Sequence, residues 1–200
     1  MTISRPWLVV IDDNEGWRDG LVQALRSRPD APEVAYAGPD VNIAITAALT
    51  HAGSTLALAD AHQADGSASL PVVLALRAHH IPVAVVSADA EPETIRALVT
   101  ASAIGYVLKS ELLDSLEGLV AAASTGTLHL SPALTASLLS TAATADLSPA
   151  QRQAMQWHAA GLPLDAALRA NELSDSDYAA TIQTLVLALH SAPRVADRST

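Results

Sequence analysis

Four short apolar runs each end in a polar residue with chemical reach. Leu8-Val9-Val10-Ile11 precedes Asp12 and Asp13, and Leu56-Ala57-Leu58-Ala59 precedes Asp60. Val83-Ala84-Val85-Val86 precedes Ser87, and Tyr106-Val107-Leu108 precedes Lys109. Runs this short, apolar throughout and bounded by turns, are those of strands buried on both faces of a parallel sheet. In an open α/β sheet the site forms outside the carboxyl ends of the strands. The runs therefore deliver three carboxylates, a hydroxyl and an ammonium to one rim. That is the chemistry of an aspartate that accepts a phosphoryl group beside a divalent cation.

Helical patterns separate the runs. Strands are expected over 7–11, 33–37, 55–59, 83–86 and 105–108, and helices over 16–28, 42–51, 70–80, 91–103 and 110–123. This alternation predicts an α/β fold, a doubly wound five-stranded parallel sheet of the flavodoxin-like type with right-handed crossovers. From Ser124 only helical signals follow. Ser131-Pro132 opens a helix to Ser140, and Thr141–Asp146 is small and polar. Ser148-Pro149 opens a helix to about Ala160, stopped by Gly161. Leu164–Ala170 and a segment from Ser174 complete a small all-α helix-turn-helix unit. The expected organisation is a first domain over 1–123, a linker with a connecting helix over 124–146, a helical domain over 147–192, and a disordered tail over 193–200.

Half the chain is apolar, which supports a core without cofactors, and Phe is absent, so small side chains supply much of that apolarity. A net charge of −10 argues against non-specific binding to nucleic acid or to an anionic membrane. The lack of cysteine removes disulfides and thiolate metal sites and fits a reducing compartment. Only five apolar residues separate Pro6 from Asp12, unlike a signal peptide, and no apolar stretch approaches the roughly 20 residues that span a bilayer. A cytoplasmic protein without membrane partners is expected.

A carboxylate is a weak nucleophile toward a phosphoryl group unless its charge is offset. Mg²⁺ does this when held by one or two carboxylates, a backbone carbonyl and waters. Adjacent Asp12 and Asp13 point in different directions, so one ligates directly and the other through water. Asp60 ligates and accepts the phosphoryl group. Lys109 pairs with a phosphoryl oxygen as a compact point charge, and Ser87 donates to another.

Residues 7–123 resemble the receiver domain of two-component response regulators, closest to the NarL/LuxR subfamily. Asp12-Asp13 matches its acidic pair, Asp60 its phosphoacceptor, Ser87 its hydroxyl, Lys109 its lysine and Tyr106 its aromatic switch position. Asp12-Asp13-Asn14-Glu15-Gly16-Trp17-Arg18-Asp19-Gly20-Leu21 is similar to the segment after the subfamily's first strand, and Gly126–Pro132 with Leu138-Leu139 to its connecting segment. Ala64 stands where the family has proline. The resemblance implies that the His62 backbone carbonyl joins the Mg²⁺ ligands. It implies a sensor histidine kinase or small phosphodonor as the phosphoryl source. It also implies a homodimer or a heterodimer with a related regulator, and no enzyme activity beyond self-phosphorylation and autodephosphorylation. An aspartate-based phosphatase is the contrasting reading, but its motif is Asp-x-Asp and Asn14 stands at the second position.

Leu147-Ser148-Pro149-Ala150-Gln151-Arg152-Gln153 resembles the opening of the LuxR-type DNA-binding domain. The recognition helix departs from it, with Ser176, Ala179 and Thr181 where the family has DNA-reaching lysines and a histidine. Asp146–Thr200 carries four Arg, no Lys and six acids, a balance of −2. A DNA reader needs several cationic phosphate contacts, so DNA is at most a weak partner. Phosphorylation of Asp60 that shifts Ser87 and Tyr106, reshapes the face from Glu91 to Ala123 and regulates transcription is one function. A phosphorylation-independent interaction module, using Ile182, Leu185, Val186 and Leu189, is the other. His79-His80 reads as a solvated helix end, Trp157 as core, and Trp7 and Trp17 as packing.

Overall fold

β1 (Trp7–Ile11), β2 (Glu33–Gly38), β3 (Thr55–Asp60), β4 (Val83–Ser87), β5 (Gly105–Leu108) and β6 (His129–Leu130) form one parallel sheet in the order β2-β1-β3-β4-β5-β6. The structure is a computed structural model that describes residues 6–51, 53–62, 69–89, 95, 97, 100–142 and 146–191. The central strands are buried on both faces, which explains why β1, β3 and β4 read as continuous apolar runs. Strand β2 lies at one edge and is mostly half-exposed.

α1 (Glu15–Arg26), α2 (Val41–Thr50), α3 (Leu70–Ala78) and α4 (Leu112–Thr125) cover the sheet. Leu21 and Leu25 of α1 and Leu112, Leu116, Leu119 and Ala122 of α4 join Leu8, Val10, Leu56, Leu58, Val86 and Val107 in one buried cluster. Helix α2 packs on β1 and β2, and α3 on β3 and β4. Asn14 caps α1 by accepting the Trp17 N–H at 3.0 Å. Asp40 caps α2 through the N–H groups of Asn42 and Ile43.

The chain runs from β1 to β2 on one side, then crosses back past β1 to β3. That reversal puts the topological switch point between the carboxyl ends of β1 and β3, where Asp12 and Asp60 stand.

Two features of the sheet and its helices differ from the sequence-based expectation. Lys109–Glu111 forms a 3₁₀ turn, so α4 begins at Leu112 and not at Ser110. The sheet has six strands instead of five, because Gly126, at φ 71°, ends α4 and returns the chain along β5. Two residues cannot display a strand's alternation, so β6 carries no periodic signal. The Ser131 N–H donates to the Tyr106 carbonyl at 3.2 Å, and the Ser131 hydroxyl accepts the Leu108 N–H at 3.3 Å.

The chain divides into two units, Met1–Ser131 and Pro132–Thr200. The second contains α5 (Pro132–Thr141), α6 (Pro149–Ala159), α7 (Leu164–Ala170) and α8 (Asp175–Ser191). A reciprocal capping box opens α6: Ser148 Oγ accepts the Gln151 N–H, and Gln151 Oε1 accepts the Ser148 N–H. Leu134, Leu138, Met155, Leu168, Tyr178, Ile182, Leu185 and Val186 are buried. The stripe Ile182-Leu185-Val186 is therefore core and not a free interface; the Leu189 side chain lies outside the described residues. Trp157 is 38% exposed, contrary to the core position expected of it, because Ala154, Met155 and His158 form the buried face of α6. The expected helix over 91–103 lies largely outside the described residues, although Ile95 is fully buried. Ala64, residues 143–145 of the expected linker and the tail from Pro193 also lie outside them.

Two glycines give opposite expectations. A Cβ on Gly105 would stand 2.3 Å from Leu119 Cδ2 and 3.1 Å from the His129 carbonyl, whereas one on Gly20 would meet nothing within 4 Å. Gly105→Val is expected to destabilise the protein by about 1–3 kcal/mol through overpacking. Gly20→Ala is expected to stabilise it by about 0.5–1 kcal/mol. Urea unfolding of both variants checks the two signs.

Candidate functional site

Parallel register sets the site's geometry. Ile11 pairs with Ala59, so Asp12 and Asp60 leave neighbouring strand ends side by side. Ser87 pairs with Leu108, which puts Lys109 one residue beyond. Lys109 Nζ lies 2.7 Å from Asp12 Oδ2 and 2.8 Å from Asp60 Oδ2. The contact with Asp60 is a directed hydrogen bond. The approach to Asp12 is an ion contact outside hydrogen-bond geometry, and Asp12 Oδ2 has no hydrogen-bond partner among the described residues. One carboxylate oxygen from each of Asp12, Asp13 and Asp60 falls within 4.8 Å of the others.

Neighbouring backbone fixes these side chains. Asp12 Oδ1 accepts the Asn14 N–H at 2.8 Å, and the Asp12 carbonyl accepts from Arg18 Nη1 at 2.6 Å. Asp60 Oδ1 accepts the His62 N–H at 3.4 Å. Asp12 is 2% exposed, and its burial raises its carboxyl pKa despite the Lys109 ammonium and the Asn14 N–H, which pull it down. Burial pushes Lys109 down, but its contacts with Asp12 and Asp60 together raise it above its ordinary value.

Ser87 and Tyr106 meet at a residue that the sequence did not single out. Ser87 Oγ accepts the Asp89 N–H at 3.2 Å, and the Tyr106 hydroxyl donates to the Asp89 carbonyl at 3.5 Å. Both side chains are buried, at 2% and 1% exposure. Backbone groups leave no trace in residue identity, so this junction had no sequence signal. Trp17 packs against the buried cluster, as expected of it, and also borders the site: Lys109 Nζ lies 4.7 Å from its ring centroid. One signal was available, since Lys109 is the only lysine in the chain. Asn14 is engaged as a helix cap, which removes it from the Asp-x-Asp role of the phosphatase reading.

The donors suit a hard divalent cation. Three carboxylates face one ammonium, the ligand atoms are oxygens, and a buried carboxylate oxygen lacks a hydrogen bond. Asp12, Asp13 and Asp60 therefore fit Mg²⁺.

In the second unit, the three residues at the DNA-reaching positions differ in exposure. Ser176 is exposed, Ala179 half-buried, and Thr181 1% exposed with its hydroxyl donating to the Asp177 carbonyl at 2.7 Å. Asp177 caps α8 through the N–H and hydroxyl of Ser174, and those bonds lower its pKa. The first turn of α8 thus carries a firmly ionised acid beside Asp175.

No protein-family model matches the chain, and no curated protein matches it. Solved structures do. The RcsB response regulator of Salmonella typhimurium is 16% identical and matches over 96% of this chain and 95% of that one, with TM-score 0.56. A two-component response regulator RcsB–DNA complex is 14% identical over 96% of this chain and 95% of that one, with TM-score 0.58. The receiver domain of the putative response regulator NarL from Mycobacterium tuberculosis is 24% identical over 59% of this chain and 98% of that one, with TM-score 0.50. The likeness establishes the fold: a receiver-type α/β unit followed by a small helical unit. Among the described residues, no helix is long and apolar enough to cross a membrane.

The raised Asp12 pKa has a pH signature. Between the unfolded value of 3.8 and the raised folded value, the native protein keeps a proton that the unfolded chain has released. Asp12 therefore costs stability increasingly as pH rises through that window, and the cost then stays level. Without divalent cations, Asp12→Asn is expected to gain stability relative to the parent between pH 3.5 and pH 7. Urea unfolding at the two pH values checks this, and an equal effect at both would refute it. Lys109 contributes in the opposite sense: its stabilisation is complete below 10.5 and is lost as pH rises through its raised value.

Proposed function

We propose that the chain is an atypical response regulator of the NarL/LuxR type, in which Mg²⁺-dependent phosphorylation of Asp60 switches dimerisation or domain docking to regulate transcription in the cytoplasm. The observation that carries this reading is the meeting of Asp12, Asp13, Asp60 and Lys109 at the β1/β3 switch point. Asp60 supplies the nucleophilic oxygen: its O–P bond forms while the donor's bond to phosphorus breaks, the donor leaving with the electron pair. The donor is a sensor histidine kinase or a small phosphodonor. Asp12, Asp13, Asp60 and the His62 carbonyl hold Mg²⁺, which when bound neutralises charge on the phosphoryl oxygens. Lys109 pairs with one of those oxygens, and Ser87 donates to another.

The switch follows from what Ser87 already holds. A shift of Ser87 toward a phosphoryl oxygen pulls on the Asp89 N–H that its Oγ accepts, and the Asp89 carbonyl is also the acceptor for Tyr106. The two side chains therefore move as a coupled pair, biasing an existing equilibrium of the neighbouring surface.

RcsB, which shares the fold, is described as dimers on DNA. The second unit here supports a different use. Between Asp175 and Leu189 there is no Lys or Arg, the helix begins with two acids, and Thr181 is buried. These features favour regulation through a protein partner, such as a heterodimer with a related regulator, over direct groove reading. A module acting without phosphorylation is the alternative if Asp60 proves inert.

Incubation with Mg²⁺ and a small phosphoryl donor is expected to give a labile single-phosphate adduct by intact mass, lost in Asp60→Asn and accompanied by altered elution on sizing. No adduct in the parent would refute the phosphorylation reading. For the second unit, duplex DNA binding by the full chain is expected to be weak, with a log–log salt slope smaller in magnitude than about 3, phosphorylated or not. A steep slope would restore DNA as the direct partner.

A further inference from the structure

Lys109 faces a conflict in this site. Its ammonium contacts Asp12 Oδ2 and Asp60 Oδ2, oxygens of two of the three carboxylates that could hold a divalent cation. When those oxygens turn to the metal, the ammonium loses its charged partners and meets a like charge, yet it is only 17% exposed and gains little water in return.

Among the described residues, Trp17 is a further neighbour of this ammonium. Its ring centroid lies 4.7 Å from Lys109 Nζ, within the range of a cation–π contact. An indole face attracts a cation through its quadrupole and offers nothing to a hard divalent ion that prefers oxygen, so it does not compete for the metal. Its position is set locally. The Trp17 N–H is bonded to the Asn14 cap at 3.0 Å, two residues beyond Asp12 and one beyond Asp13. Beside the ring, a groove of about 280 Å³ lined by Gly16, Trp17, Gly20, Leu21, Lys109 and Leu112 leaves the lysine stem room to swing. Gly16 and Gly20 leave that flank unobstructed: a Cβ on Gly20 would meet nothing within 4 Å, and one on Gly16 only Asn14 Oδ1 at 3.6 Å.

Resting on the Mg²⁺-dependent reading above, we infer that Trp17 is a positioning residue that retains the Lys109 ammonium on its ring face when the carboxylates are given over to the metal. It keeps the chain's single lysine beside Asp60, poised for an incoming phosphoryl oxygen. In the metal-free state two carboxylates neutralise Lys109 and the ring adds little. In the metal-bound state the ring is its main protein partner. Removing the ring therefore weakens metal binding, and does so only while Lys109 is present.

The test is a double-mutant cycle on the full chain, with Mg²⁺ affinity read by isothermal calorimetry. Trp17→Leu is expected to weaken Mg²⁺ binding about threefold, a fraction of the range open to a partly desolvated cation–π pair. Trp17→Phe, which keeps a weaker ring face, is expected to fall between the two. In the Lys109→Ala background, Trp17→Leu is expected to leave Mg²⁺ affinity unchanged, whereas a packing role would cost the same in both backgrounds. Should Trp17→Leu fail to fold, Trp17→Phe takes its place in the cycle. Equal effects in the two backgrounds, or unchanged affinity in the Lys109 background, would overturn the inference alone. A parent protein that binds no Mg²⁺ would overturn it together with the reading on which it rests.

Discussion

Lys109 Nζ, at 2.7 Å from Asp12 Oδ2 and 2.8 Å from Asp60 Oδ2, holds together the ends of three strands. Asp12 is almost fully buried. A buried carboxylate is tolerated only beside a compensating charge or proton, and this chain has one lysine to supply it. The strand order brings the charges together: the crossover from β2 to β3 past β1 opens the cleft in which two carboxylates stand opposite one ammonium. An arrangement with surplus negative charge suits a further cation, and the burial of Asp12 costs stability without one.

The parts of this site legible in the sequence were those where a polar residue ends an apolar run. Asp60 and Lys109 are 49 residues apart, yet each was identifiable because a buried strand gives an abrupt boundary. Other parts were hidden for physical reasons. Asp89 joins Ser87 to Tyr106 through its peptide groups, which every residue possesses. Trp17 does pack against the core, but an indole ring serves a core and a cation equally well, and only its distance to Lys109 reveals the second contact. Trp157 misled for a related reason: the buried face of α6 includes His158, and a polar residue there hides the true direction of the apolar stripe.

The helical unit carries a mixed message. Ser148 and Gln151 make a reciprocal cap at the start of α6, and Tyr178, Ile182 and Leu185 build a buried core. Its local rules of folding are thus met. Asp175 and Asp177 favour the start of α8 through its dipole and put negative charge there. Folding and nucleic-acid recognition are separate demands on one helix, and the capping acids and buried apolar residues of α8 serve the first.

Strand β6 is only two residues long, yet it closes one side of the sheet. It covers Gly105 and Tyr106, and Ser131 extends the cover to the Leu108 amide. A protein shortened at residue 123, where the helical pattern before it suggests a natural end, would bare the outer N–H and C=O groups of β5. Such an uncovered apolar border templates strand addition by other chains. The cover of β5 therefore depends on a handful of residues past α4, and the first compact unit runs to Ser131.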